Sequence, residues 1–262
     1  MTRLLQHLDA QRRRARKLLV PYVMGGIPEA SAFEAVARAL AAHADALEIG
    51  LPYSDPLMDG PVIAAAGERV LRAGLGPLEV LDLVAPTELA VPRVVMTYFN
   101  PVHRLGEDSF CRRAAGAGFS GLIVPDIPLE ESATLRRAAA AAELAWVPLV
   151  APTTSPERAR RIADTASGFI YAVSTLGVTG TRAELARSAA RVVASCRAAT
   201  DLPVLVGIGI SSPEQARAAV AAADGVVIGS AVVRLVLDEG PAAGSTFLAG
   251  VRAALDGVEV AM

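Results

Sequence analysis

Three observations predict a closed (β/α)8 TIM barrel with an additional N-terminal helix. Short, β-branched apolar runs recur eight times, each followed by an alanine- and arginine-rich stretch of helical length. These runs are apolar on both faces, as strands are in a parallel sheet covered by helices. The chain has 262 residues, close to the ~250 of a typical barrel, and no linker or charge block divides it. One domain over residues 1–262 is therefore expected. Eight units in this length favour closure, with an open doubly wound sheet as the alternative.

Taken in order, an amphipathic helix over residues 1–17 should cap the barrel bottom. Its basic end, Arg12 to Lys17, reads as a solvated helix terminus interacting with the dipole. Strands are expected at Leu18–Met24, Ala44–Gly50, Arg93–Phe99, Gly121–Pro125, Trp146–Val150, Phe169–Ser174, Val204–Ile208 and Gly225–Ile228. Helices are expected between them, over Glu29–Ala42, Asp108–Gly116, Glu130–Ala142, Pro156–Thr165, Ala183–Ala199 and Pro213–Ala222. "SPER" at Ser155 and "SSPEQ" at Ser211–Gln215 each set a hydroxyl before a proline at the first helical position.

Charge and cysteine content narrow the function. The 25 basic residues against 27 acidic leave a net charge of -2, which gives no long-range attraction to nucleic acid or anionic membrane. Cys111 and Cys196 form neither a metal-ligand spacing nor a disulfide framework, so a reducing cytoplasm is expected. The first residues hold no apolar core of signal-peptide length, and the apolar runs are too short to span a bilayer.

In a barrel, chemistry belongs to the loops after the strand C-termini. "EIGLPYSDPLMDGP", Glu48 to Pro61, follows the second strand and carries three carboxylates. Leu47 and Ile49 suit the layer between barrel and helices, which turns Ala46 and Glu48 toward the axis. Glu48 there is either a desolvated acid–base group with a raised pKa or the partner of an arginine at the mouth. Asp55, in "SDP", is either a turn residue or a functional one. Asp59 precedes Gly60-Pro61 at the expected N-cap of the next helix, "PVIAAAGERVL", which suits capping as well as hydrogen-bond acceptance.

Opposite these carboxylates, "STLGVTG", "VGIGISS" and "VIGSAVV" follow the sixth, seventh and eighth strands. Glycine-rich strand ends let backbone N–H groups approach a phosphate, and barrel phosphate sites recur after strands seven and eight, where Gly209, Gly229 and Ser230 fall. The sole lysine, Lys17, precedes the first strand, so it is on the wrong face for a Schiff base. His7, His43 and His103 are too scattered for a metal cluster; His103 reads as a surface-loop residue. A phosphate site with carboxylate acid–base chemistry remains, with neither metal nor covalent intermediate.

"ALEIGLPYSDPLMDGPVI", "MTYFNPV", "PDIPLEE", "LVAPTTSPER", "FIYAVSTLGVTGTR", "GIGISSPEQA" and "GVVIGSAVV" resemble, in this order, the tryptophan synthase α chain family, from about Val20 to Val233. The resemblance implies a (β/α)8 barrel that cleaves indole-3-glycerol phosphate to indole and glyceraldehyde 3-phosphate. The chain itself would need no cofactor. Its partner in an αββα heterotetramer would be a pyridoxal-phosphate β chain that joins the indole to serine. By the same resemblance, Glu48 moves protons at indole C3 and the glycerol hydroxyl, and Asp59 accepts from the indole N–H. Gly180, Gly209, Gly229 and Ser230 match phosphate-binding positions. Tyr22, Met96, Ile123 and Tyr171 match the indole pocket, and Thr179 the lid hydroxyl. Pro52, Asp55, Asn100 and Gly177 match the region facing the β chain. A stand-alone indole-releasing lyase is the alternative. Ile27, Ala64, Thr175 and Ile208 depart from residues common in the family.

Overall fold

The computed structural model describes residues 1–173, 182–207 and 209–257, with side chains throughout except at residues 182–188. The elements in chain order are α1 (Arg3–Arg12), β1 (Leu18–Met24), α2 (Phe33–Ala41), β2 (Leu47–Gly50), α3 (Pro61–Arg72) and α4 (Pro77–Val84). They continue with β3 (Arg93–Met96), α5 (Phe99–Leu105), α6 (Glu107–Gly116), β4 (Phe119–Ile123), α7 (Ala133–Ala141), β5 (Ala145–Trp146) and β6 (Leu149–Val150). The last are α8 (Pro156–Ala163), β7 (Ile170–Val173), α9 (Arg182–Arg197), β8 (Val204–Gly207), α10 (Pro213–Ala219), β9 (Gly225–Ile228), α11 (Ser230–Glu239) and α12 (Pro241–Leu255).

All strand pairs are parallel, in the order β5-β4-β3-β2-β1-β9-β8-β7-β6. The expected fifth strand, Trp146–Val150, is two short pieces. Its first half pairs with β4, extended by Val147 N–H donating to the Leu122 carbonyl at 3.1 Å. Its second half pairs with β7, where Tyr171 N–H donates to the Pro148 carbonyl at 3.0 Å. Proline has no N–H to donate and so interrupts a ladder. The chain from Ala145 to Val150 thus carries the curled sheet from one end to the other, giving a TIM-barrel-like ring.

Alternation places the core as β geometry requires. Leu18, Val20, Ala46, Val94, Ile123, Phe169, Leu205 and Val227 cluster inside the ring. Leu47 and Ile49 pack outside it against the helices, with Phe33, Leu40 and Phe110. Leu4 and Leu8 of α1 join the interior cluster and are fully buried, closing its N-terminal end. That helix stops at Arg12 rather than continuing to residue 17, and Ala15 turns the chain with a left-handed φ of 58°.

The basic segment is solvated only in part: Arg13 and Arg14 are exposed, while the other three basic side chains are tied to the fold. Arg16 donates to Asp45 at 2.8 Å, Lys17 donates to the Ala223 carbonyl at 2.8 Å, and Arg12 pairs with Asp224 at 3.4 Å. Asp45, 2% exposed, also accepts from Leu19 N–H at 2.8 Å and Arg252 at 3.1 Å. The floor of the barrel is therefore held by ion pairs: Asp45 ties the segment after α1 to β1 and α12, and Asp224 holds the end of α1. No helix among the described residues is long and apolar enough to cross a membrane.

Candidate active site

Parallel pairing puts every strand C-terminus on one face, and the described candidate residues lie at or just beyond these strand ends. Glu48 of β2 is 3% exposed and in register with Tyr22 of β1. Alternation aims both inward, since Ala46 lies in the interior cluster and Leu47 and Ile49 lie outside. No arginine pairs with Glu48 among the described residues, and its Oε2 has no hydrogen-bond partner there. Burial, and secondarily the nearby charge of Asp59, raises its pKa to about 8.

The loop from β2 to α3 folds through short turns: Leu57 N–H donates to the Asp55 carbonyl at 2.9 Å and Asp59 N–H to the Pro56 carbonyl at 3.0 Å. Asp59 does not cap α3. The N-cap is Gly60, whose carbonyl accepts from Ala64 N–H at 3.0 Å. Pro61 at the first helical position has no N–H to satisfy, so the Asp59 carboxyl is free to face the mouth. It is half-buried there, and burial lifts its pKa to about 6 against a hydrogen bond from the Tyr98 hydroxyl that opposes the rise.

Tyr98 carries no role in the sequence analysis, yet it organises this loop. It is 2% exposed, its hydroxyl accepts from Met58 N–H at 2.9 Å, and its ring stacks on Tyr53 with centroids 5.3 Å apart. Asn100 Nδ2 in turn donates to the Tyr53 hydroxyl at 2.9 Å. The signal for Tyr98 in "MTYFNPV" is a phenol two residues past a strand end, where a polar tip on an apolar ring finds both core and loop. Asp126 is a second omission: its carboxylate accepts from Phe99 N–H at 2.8 Å, capping the first turn of α5. His103 is exposed as expected, but on α5 rather than in a loop, tilted against Phe99 at 5.7 Å.

Tyr22 is buried, Ile123 is 2% exposed, and Met96 and Tyr171 are half-buried against the interior cluster. Across the mouth, Gly229 is the N-cap of α11 and Ser230 its first, exposed residue. A Cβ on Gly229 would lie 3.6 Å from the Tyr22 ring and 3.3 Å from Ile63, so this helix start adjoins the carboxylate side. Gly209 is exposed ahead of α10, which Ser212 caps by accepting from Gln215 N–H at 3.3 Å. Gly177, Thr179 and Gly180, with Thr175 and Ile208, lie outside the described residues.

Pro52 is buried, whereas Asp55 and Asn100 are exposed, and Leu57 stands beside them at 91% exposure. Ile27 is fully buried in the layer under the helices, and Ala64 is half-buried on α3.

The sequence profile described as the tryptophan synthase alpha chain matches residues 8–250. The chain belongs to the tryptophan synthase alpha chain family. It is 47% identical to the tryptophan synthase alpha chain of Carboxydothermus hydrogenoformans over 239 residues, covering 90% of each chain. With that of Gloeobacter violaceus it shares 49% over 229 residues, covering 85% of this chain and 82% of the other. Among solved structures, tryptophan synthase subunit alpha from Legionella pneumophila superposes with a TM-score of 0.89 at 31% identity, covering 98% and 100%. A tryptophan synthase structure from Mycobacterium tuberculosis gives 0.88 at 38%, covering 97% and 98%. The role that follows from the family is that of the alpha subunit in tryptophan biosynthesis.

Proposed function

We propose that this chain, acting as one domain, is a carbon–carbon lyase that cleaves indole-3-glycerol phosphate to indole and glyceraldehyde 3-phosphate. The observation that carries the reading is two carboxylates on one mouth whose environments separate their pKa values, about 8 for Glu48 and about 6 for Asp59. Near neutral pH the first is a proton donor and the second a carboxylate, the pattern that assigns acid and acceptor roles. Glu48 gives its proton to indole C3 while Asp59 accepts from the indole N–H. The resulting Glu48 carboxylate takes the proton of the glycerol hydroxyl, the carbon–carbon bond breaks, and its electron pair returns to the ring. The electron sink is the substrate's own ring, so the chain needs no cofactor. Tyr22, Met96, Ile123 and Tyr171 wall the indole, and Gly209, Gly229 and Ser230 hold the phosphate at the start of α11.

The partner is a β chain that carries pyridoxal phosphate, in an αββα heterotetramer. Supporting this is the exposed edge of the loop after β2, with Leu57 at 91% and Met58 at 49% exposure beside Asp55 and Asn100. A stand-alone lyase would gain nothing from that apolar edge. We place the assembly in the cytoplasm, in keeping with Cys111 and Cys196 being free and buried. An indole-release assay on the wild type, Glu48→Gln and Asp59→Asn, with and without a β chain, tests the reading. Both variants should fold and release no indole, and the β chain should raise wild-type turnover. Near-wild-type turnover by Glu48→Gln overturns the mechanism, and indifference to the β chain overturns the partner.

A further inference from the structure

Two buried polar atoms of the mouth have no hydrogen-bond partner among the described residues: the Tyr22 hydroxyl and Glu48 Oε2. Their residues are in register on adjacent parallel strands, and alternation with the interior residues Leu18, Val20 and Ala46 turns both inward. Tyr22 is 3% exposed, and its ring is fixed by what surrounds it. It lies across Gly50, where any Cβ would collide with the ring and the hydroxyl, and its other flank borders Gly229. The family resemblance places Tyr22 in the indole pocket, a task for which phenylalanine suffices. A buried hydroxyl without a partner is unfavourable to the folded chain, so its presence calls for a ligand atom.

We propose that Tyr22 is a catalytic residue, its phenol donating a hydrogen bond to the substrate hydroxyl oxygen that Glu48 deprotonates, so that one substrate oxygen joins the two orphaned groups. This rests on the reaction proposed above. An alcohol oxygen has one proton to give and two lone pairs to accept with. It therefore satisfies Glu48 Oε2 and Tyr22 together, which no single neighbouring side chain does here. During cleavage the hydroxyl proton passes to the Glu48 carboxylate, the carbon–carbon pair goes to the ring, and the oxygen becomes the aldehyde carbonyl. Tyr22 keeps its proton throughout and steadies the negative charge that grows on that oxygen, as a fixed donor does in a buried site. Burial and the charges of Asp59 and Glu48 hold the phenol well above its usual pKa, so it stays a donor over the working range.

The test is Tyr22→Phe, which keeps the ring and removes one atom. The Tm of the variant should equal or exceed the wild type's, by up to a few degrees (about 2–4 °C for a chain of this size). For indole-3-glycerol phosphate, kcat should fall about tenfold or more, because the lost donor acts mainly on the developing charge. Affinity for indole-3-propyl phosphate, which lacks the side-chain hydroxyls, should be unchanged. Turnover within twofold of wild type overturns the role of Tyr22 and leaves the reaction standing. Equal weakening of the deoxy analogue, or a lowered Tm, overturns it too by showing a packing function. A wild-type chain that does not cleave indole-3-glycerol phosphate overturns the reaction and this role with it.

Discussion

Glu48 holds its proton in the folded chain up to a pH of about 8, whereas an unfolded glutamate loses it near 4.5. Between those values the native state binds the extra proton, so stability falls as pH rises across this window. Glu48→Gln removes the titration. Its denaturation free energy should fall less than the wild type's as pH rises, levelling above about pH 6 once Asp59 has ionised, and by pH 8 the variant should be ahead by at least ~2 kcal/mol, each unit being worth about 1.4. Asp59 supplies a second residue-scale prediction through Tyr98, whose hydrogen bond holds its pKa down. Tyr98→Phe should move the acid limb of the kcat/KM profile to higher pH and lower turnover, since the Met58 N–H also loses its acceptor. An unmoved limb would remove Tyr98 from the site. Neither effect follows from the short stretch around each residue, because Tyr98 lies 39 positions beyond Asp59 in the chain.

At the scale of elements, local chemistry decided what it controls. The hydroxyls expected to cap two helices do so: Ser155 accepts from Arg158 N–H at 3.2 Å and Ser212 from Gln215 N–H. Ser155→Ala should cost about 1 kcal/mol of stability and leave indole release intact; a drop in turnover would tie α8 to the site. β1 and β9 span the expected residues because each is a compact apolar run with its neighbours' polar breaks close by. Trp146–Val150 divided because Pro148 removes one ladder donor, a break the apolar pattern hides. α3 begins at Pro61 as its sequence suggests, which makes Gly60 rather than Asp59 the cap, and the Asp59 carboxyl finds Tyr98 instead. The helices α4, α5, α11 and α12 are not among the expected ones. The first starts after a glycine rather than a hydroxyl, and the second takes its cap from Asp126, 27 residues away.

The whole molecule is held open at one end for chemistry and tied shut at the other. On the closed floor, Asp45 gathers Arg16, Arg252 and the Leu19 N–H while 2% exposed. Removing one member of a buried ionic cluster leaves the others unpaired, at about 3–5 kcal/mol. Asp45→Ala should therefore shift the urea midpoint strongly downward while the folded fraction cleaves substrate as the wild type does. A large loss of kcat in fully folded variant would show that floor and mouth are coupled.

The sequence by itself determined the alternation of strand and helix, the inward aim of Glu48 beside outward Leu47 and Ile49, and the face that carries the glycine-rich strand ends. Those follow from side-chain period and local capping, which act over a few residues. The tertiary structure alone decided that Glu48 and Asp59 have separated pKa values, that Tyr98 steadies the second carboxyl, and that Tyr22 and Glu48, in register, each bury a polar atom with no hydrogen-bond partner among the described residues. Desolvation and hydrogen-bond supply at a point depend on every strand and loop that reaches it. Those contributors come from β1, β2, the loops after β2 and β3, and the start of α11, and only the tertiary fold brings them together.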